Sequence, residues 1–265
     1  MKNAPIGIFD SGIGGLTVAN AIKEVLPNEN IIYFGDTEHL PYGEKSKESI
    51  QNYSRKIIQF LIKKNCKVIV IACNSASSVS DNSVLKYSEN RKVFNVIDPV
   101  VKEVVKVCAN YNIGVIGTKA TIGSGIYTSK IKELCNSANV SSLSTPLLAP
   151  MIEEGFVNEE ISKKVISNYL SDPILKNIDH LILACTHYPL IQNEINEFYR
   201  MKVNVVDSAR IVAHHIAESL KIEKLLKETT RKKHHFYVSN YTESFEKSAR
   251  FFFKEEVKLK EVNLH

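Results

Sequence analysis

Two segments of the chain share one local pattern. Val68-Ile69-Val70-Ile71-Ala72-Cys73-Asn74-Ser75 and Leu181-Ile182-Leu183-Ala184-Cys185-Thr186-His187 each run through apolar strand-forming residues into Ala-Cys and then into polar side chains. In open α/β sheets ligands bind outside the carboxyl ends of the strands, so both thiols arrive where a site is built. The commonest fate of a free cysteine is that of a small buried hydrophobe. Cys66, Cys108 and Cys135, in or beside helical segments, fit that bland reading, whereas the repeated strand-end context of Cys73 and Cys185 argues against it.

Thiols facing each other across one carbon suit racemisation. The reaction takes a proton from one face of a stereocentre and returns another to the opposite face, so it needs a base and an acid on either side. Because the enantiomers have equal free energy in water, the forward base is the reverse acid, and two groups of similar basicity serve both directions. An unperturbed thiol, with a pKa of about 8.5, is mostly protonated at neutral pH and needs a polar or charged neighbour to hold or lose its proton. Asp10, Glu153 and His187 are the candidates, His187 because it lies two residues beyond Cys185.

The elements that must position these groups follow from the hydrophobic pattern. Short apolar runs alternate with segments of helical periodicity along the whole chain, the pattern of parallel strands joined by crossover helices, so the fold class is α/β. Strands are expected near Ile6-Phe9, Ile31-Gly35, Val68-Ala72, Val93-Ile97, Ile113-Gly117, Val140-Leu143, Leu181-Ala184, Val203-Val206, Phe236-Val238 and Val257-Leu259. Ten strands are many for one compact sheet. Breaks near Asp98-Pro99 and Asp207-Ser208 divide the chain into a discontinuous domain, 1–97 plus 208–265, and a central one, 98–207, each a doubly wound parallel sheet with the cleft between them. Ser46 to Lys64 reads as a core-packing helix capped by Ser46.

Composition narrows the partners. A hydrophobic fraction of 44% fills ordinary cores. The sequence carries no apolar run of bilayer-spanning length and no secretory h-region, so a cytoplasmic protein off the membrane is expected. Five single cysteines without zinc-type or disulfide-framework spacing read as reduced thiols. Net charge is +5, and the densest basic run, Arg231-Lys232-Lys233-His234-His235, is short and lacks interleaved aromatics, so it reads as a solvated loop rather than a nucleic-acid surface. A mildly positive surface favours an anionic substrate. His214 and His215 are read as surface or packing residues.

Ile6-Gly7-Ile8-Phe9-Asp10-Ser11-Gly12-Ile13-Gly14-Gly15-Leu16 is a strand, a glycine-rich turn and a helix start, where free backbone N–H groups bind an anion. A dinucleotide fingerprint is the rival, with Asp36 near the position of a ribose-binding acid. Counting from Gly12, however, the third fingerprint glycine is Thr17, so a small carboxylate is the expected ligand. Pro41-Tyr42-Gly43 is a turn whose glycine supplies an unusual backbone shape or whose N–H groups meet a carboxylate. Thr118 and Thr121 are read equally as helix-capping hydroxyls and as substrate contacts.

On these motifs the chain resembles the bacterial glutamate racemases. The resemblance rests on Gly7-Ile8-Phe9-Asp10-Ser11-Gly12-Ile13-Gly14-Gly15, Tyr33-Phe34-Gly35-Asp36-Thr37 with Pro41-Tyr42-Gly43, Ala72-Cys73-Asn74-Ser75-Ala76-Ser77, Gly117-Thr118-Lys119-Ala120-Thr121 and Cys185-Thr186-His187-Tyr188-Pro189-Leu190. Ser75 stands where the family usually has Thr, keeping the hydroxyl, and Ala184 replaces a common Gly. The resemblance implies two α/β domains, Cys73 and Cys185 as the acid/base pair, and no metal, pyridoxal phosphate or other cofactor. It implies Asp10 and His187 as helpers, with Glu153 and Asp36 in supporting positions. Substrate contacts fall to Asp10, Ser11, Tyr42, Gly43, Asn74, Ser75, Thr118, Thr121, Thr186 and His187. It also implies a homodimer that supplies D-glutamate for peptidoglycan.

Three rivals remain open. An aspartate or related amino-acid racemase of the same superfamily keeps both cysteines and differs in its side-chain pocket. A hydrolase with a cysteine nucleophile and His187 as base has no use for the second strand-end cysteine. A dicarboxylate-binding protein explains the domains but not the thiols.

Overall fold

The computed structural model describes residues 2–107, 111–228 and 233–264. Its strands are β1 (Ile6–Asp10), β2 (Ile31–Gly35), β3 (Val68–Ile71), β4 (Val93–Asn95), β5 (Asn112–Gly117), β6 (Asn139–Ser144), β7 (His180–Ala184), β8 (Asn204–Val206), β9 (His235–Val238) and β10 (Leu259–Glu261). They form a six-stranded sheet in the order β10-β9-β2-β1-β3-β4 and a four-stranded sheet in the order β6-β5-β7-β8. Every pairing is parallel. Parallel neighbours need crossover connections, which the helices supply. The chain therefore forms two parallel-sheet α/β domains, one sheet from strands at both ends of the sequence and one from strands in its middle.

The central strands β1, β2, β3 and β7 are buried on both faces, which is why they read as unbroken apolar runs rather than alternating ones. The edge strand β6, Asn-Val-Ser-Ser-Leu-Ser, is only half-buried and correspondingly polar. The helix Lys47–Lys63 starts at Ser46, whose hydroxyl accepts a hydrogen bond from the Ser49 N–H at 3.2 Å. Its face Ile50, Ile57, Ile58 and Leu61 closes one apolar cluster beneath β1–β3. A larger cluster runs from the opposite face of that sheet through the helices Leu16–Val25, Asp98–Val104 and Ser208–Ile222 into β5 and β7. Shared packing of those helices holds the two domains together.

Most strands differ from the sequence reading by one residue at a limit, and β4 and β10 differ by two. β4 stops at Asn95 instead of Ile97 because the Asn95 Oδ1 accepts from the Ile97 and Asp98 N–H groups at 2.9 and 2.8 Å and turns the chain into a helix. β10 starts at Leu259, since Val257 is buried but unladdered; the register opens at Leu259 opposite Phe236. Cys66 is a buried free thiol, as are Cys73 and Cys185. Cys135 departs from expectation: it is half-buried at the end of the helix Ile126–Leu134, outside any sealed core, and is disulfide-bonded. Cys108 lies outside the described residues, as do Arg231 and Lys232, while His235 opens β9 instead of continuing a loop. No helix among the described residues is long and apolar enough to cross a membrane.

Candidate active site

Register carries the chemistry to one place. In the first sheet Phe9 pairs with Ile71 and Asp10 with Gly35, so Asp10 stands level with Ala72, one residue before Cys73. In the second sheet Gly117 pairs with Ala184, which sets Thr118 level with Cys185. These strand ends face one cleft, and both Cys73 and Cys185 line it. The first domain adds Ser11, Tyr42, Gly43, Asn74 and Ser75 to its wall; the second adds Thr118, Glu153, Thr186 and His187. Pro41 completes it together with Leu40, Ala149 and Pro150, the last three of which were not singled out in the sequence. Ala149 and Pro150 lie four and three residues before Glu153 on the helix Leu148–Glu153, a spacing that puts them on its face.

Cys73 sits where β3 gives way to the helix Asn74–Val79. Its sulfur accepts from the Ala76 N–H at 3.4 Å, and Ser11 Oγ is 3.7 Å away. Burial pushes the thiol up to about 12, and the neighbouring Asp10 carboxylate adds to the rise against the opposing hydrogen bonds. Cys73 therefore rests protonated. Asp10 is itself fully buried, and burial raises its carboxyl above the ordinary range, offset in part by His187 and by the Gly15 and Gly12 N–H groups. Those two N–H groups bind Asp10 Oδ2 at 3.1 and 3.2 Å, while Oδ1 is buried without a partner. A buried carboxylate oxygen left unpaired beside a protonated thiol is a ready proton acceptor.

The second thiol has a different environment. Cys185 Sγ lies 3.6 Å from His187 Nδ1, and His187 Nε2 lies 2.8 Å from Glu153 Oε1. Burial alone depresses a histidine, but the contacts with Cys185 and Glu153 outweigh it and hold His187 well above the usual imidazole range. These contacts favour the protonated form of His187, which donates to the carboxylate on one side and to the sulfur on the other. It keeps a proton at hand for Cys185.

The glycine-rich turn already fills part of the anion cradle read in the sequence with the protein's own acceptors. Its Gly12 and Gly15 N–H groups are taken by Asp10, and those of Leu16 and Thr17 by the Ile13 and Gly14 carbonyls. The turn's service is close approach: a Cβ on Gly14 would stand 2.3 Å from His187 Cε1, 2.6 Å from its Nδ1 and 2.7 Å from Thr186 Oγ1. Thr17, at the position where a dinucleotide site has glycine, lies with its hydroxyl 2.9 Å from the carbonyls of both Gly14 and Thr186 and ties the two domains. Gly14→Ala is therefore expected to displace the imidazole and lower kcat about 10²-fold, the cost of misplacing a reacting group by roughly an ångström. A variant with wild-type kcat would show that this placement of His187 is dispensable.

Gly43 is likewise a matter of space, since a Cβ there would stand 2.8 Å from Thr118 Cβ in the other domain. The Tyr42 hydroxyl donates to Asp36 Oδ2 at 2.5 Å, and Asp36 Oδ1 accepts from Ser239 Oγ at 2.8 Å and lies 2.8 Å from His39 Nδ1. Asp36 is thus off the cleft wall and takes its supporting position through Tyr42, which it anchors, rather than through contact with either thiol. Ser75, Thr118 and Thr121 form a hydroxyl triangle across the domains, with sides of 2.8, 3.1 and 3.3 Å. Thr118 caps the helix Lys119–Gly123, as one of its two readings had it, and also lines the cleft. Thr121 is nearly fully buried one turn inward, and the expected substrate contact gives way to a supporting bond. Asp10 also lies behind the wall.

A model of the Asp/Glu/Hydantoin racemase family matches residues 15–216. The chain belongs to this family. The glutamate racemase 3 of Caldanaerobacter subterraneus is 41% identical over 246 residues, covering 92% of this chain and 89% of that protein. The glutamate racemase of Aquifex aeolicus is 46% identical over 218 residues, covering 82% and 84%. The crystal structure of glutamate racemase from Francisella tularensis in complex with D-glutamate aligns with a TM-score of 0.94 at 38% identity, covering 100% of this chain and 99% of that one. For a racemase, the cleft offers two thiols, a proton acceptor beside the first and a proton donor beside the second. The hydroxyls of Ser11, Ser75, Thr118 and Thr186 belong to the same site.

Proposed function

We propose that this chain interconverts L- and D-glutamate by two-thiol acid/base catalysis, without a cofactor. The observation that carries the reading is that two buried free thiols from the ends of strands in different sheets line one cleft, each with its own proton partner. In each direction one sulfur, as thiolate, takes the α-proton and leaves the electron pair on the carbanion. The other sulfur, as thiol, delivers a proton to the opposite face and ends as thiolate. Asp10 receives the Cys73 proton when that thiol must act as base. His187, oriented by Glu153, supplies or holds the proton of Cys185. The glutamate racemases of more than one organism at about 40% identity support glutamate over aspartate as the substrate.

The same reading carries domain boundaries at 97/98 and 207/208, supported by which strands enter each sheet. With it go a cytoplasmic homodimer and a role in supplying D-glutamate to peptidoglycan, both from the family resemblance. The testing experiment is circular dichroism of purified protein with L-glutamate, D-glutamate and each enantiomer of aspartate. Both glutamate solutions are expected to converge on zero signal. Conversion of aspartate alone would transfer the assignment to an aspartate racemase, and conversion of neither would overturn it.

A further inference from the structure

Asn74 follows Cys73 directly and lines the cleft, yet it is only 3% exposed. Its two amide atoms are treated unequally. Oδ1 accepts a hydrogen bond from the Tyr127 hydroxyl at 2.7 Å, while Nδ2 is buried and has no partner. Tyr127 comes from the helix Ile126–Leu134 of the other domain and is 2% exposed. A primary amide turned by half a rotation about its last bond exchanges donor for acceptor, so whatever fixes Oδ1 fixes what Asn74 presents to the cleft. An unpaired buried N–H donor is costly unless a ligand meets it.

We infer that Tyr127 is a positioning residue: by donating to Asn74 Oδ1 across the domain interface, it locks the amide with Nδ2 as a donor for a substrate carboxylate. The inference rests on the racemase reading and extends it to a residue outside the cleft wall. Burial, with the charges of Cys185 and Asp98 adding to it, keeps the Tyr127 hydroxyl protonated far beyond the ordinary phenol range. In the observed arrangement the hydroxyl gives its proton to Oδ1, whereas the flipped amide would donate Nδ2–H to the phenol oxygen and turn Oδ1 toward the anion. Because Tyr127 and Asn74 belong to different domains, the donor is set in place only while those domains are in contact.

The test is a double-mutant cycle on steady-state racemisation in both directions. Tyr127→Phe is expected to raise KM for both enantiomers about two- to tenfold with kcat changed by less than about twofold, the size of one lost hydrogen bond. Asn74→Ala is expected to raise KM by about tenfold or more, and adding Tyr127→Phe to it should change nothing further. Effects that multiply in the double variant, or a fall in kcat that persists without Asn74, would overturn the inference and assign Tyr127 to Cys185 or to the fold. If Tyr127→Phe does not fold, Asn74→Asp serves: with Oδ1 still bound by Tyr127, its second oxygen faces the anion, so KM should exceed that of Asn74→Ala. Tolerance of Asn74→Asp would contradict the locked orientation. Absence of racemisation in the wild type would instead indict the function assignment, so the two failures are separable.

Discussion

Cys73→Ser and Cys185→Ser are each expected to lower kcat for glutamate racemisation by about 10²–10⁴-fold or more, the range over which a positioned acid or base acts. A serine hydroxyl keeps the shape of the site but is far too weak an acid or base for this proton at neutral pH. The fold should survive, since both positions are small and end their strands with only the weak sulfur contacts to Ser11, Ala76 and His187. Steady-state rates in both directions, with circular dichroism melts as the folding control, check it. Retention of near-wild-type racemisation by either variant would remove that cysteine from the mechanism. Cys66→Ser, by contrast, should leave kcat unchanged, because Cys66 packs against Gly7 beneath the sheet and does not face the cleft.

Asp10→Asn and His187→Asn carry the second-largest effect, a fall in kcat of about 10²-fold each. The enantiomers are equally stable, so kcat/KM must fall alike in the two directions, and the difference between the helpers has to be sought elsewhere. It lies in which proton transfer limits the rate. Asp10 serves Cys73, so its loss slows abstraction by that thiol. The primary isotope effect of α-deuterated substrate should grow in the direction where Cys73 is the base and shrink in the other. His187→Asn should reverse the pattern, because its proton belongs to Cys185. Unaltered isotope effects in both variants, with only KM raised, would make Asp10 and His187 binding residues.

Much of this site was legible in the sequence because its chemistry sits on the most regular parts of the fold. Strands buried on both faces announce themselves as apolar runs, and the residues after Ala72 and Ala184 then fall at the mouth of a parallel sheet whatever the detailed packing. His187 was legible for the same reason, two residues past a strand end. What escaped were contacts between residues far apart in the chain. Tyr127 meets Asn74 across 53 positions, and Thr17 meets Thr186 across 169, and no local pattern encodes either. In the glycine turn, spacing shows which N–H groups can be exposed but not that the Asp10 carboxylate folds back to occupy those of Gly12 and Gly15. The supporting position of Asp36 came with the family resemblance, but its partners Tyr42, His39 and Ser239 could be found only in the fold. The disulfide at Cys135 likewise depends on which thiol the fold brings within reach, and single spacing does not reveal that.

The account's central claim is that Cys73 and Cys185 work on opposite faces of the substrate carbon. A glutamate derivative with a leaving group at the β-carbon tests it most directly, because abstraction of the α-proton alone then completes an elimination and no second acid is needed. Each serine variant keeps one thiol and should therefore eliminate from one enantiomer while leaving the other nearly untouched. The account predicts that the two variants choose opposite enantiomers, read as keto-acid release from the pure L and D forms. Elimination from the same enantiomer by both, or from both enantiomers by either one, would contradict it and point to a single base that reaches both faces.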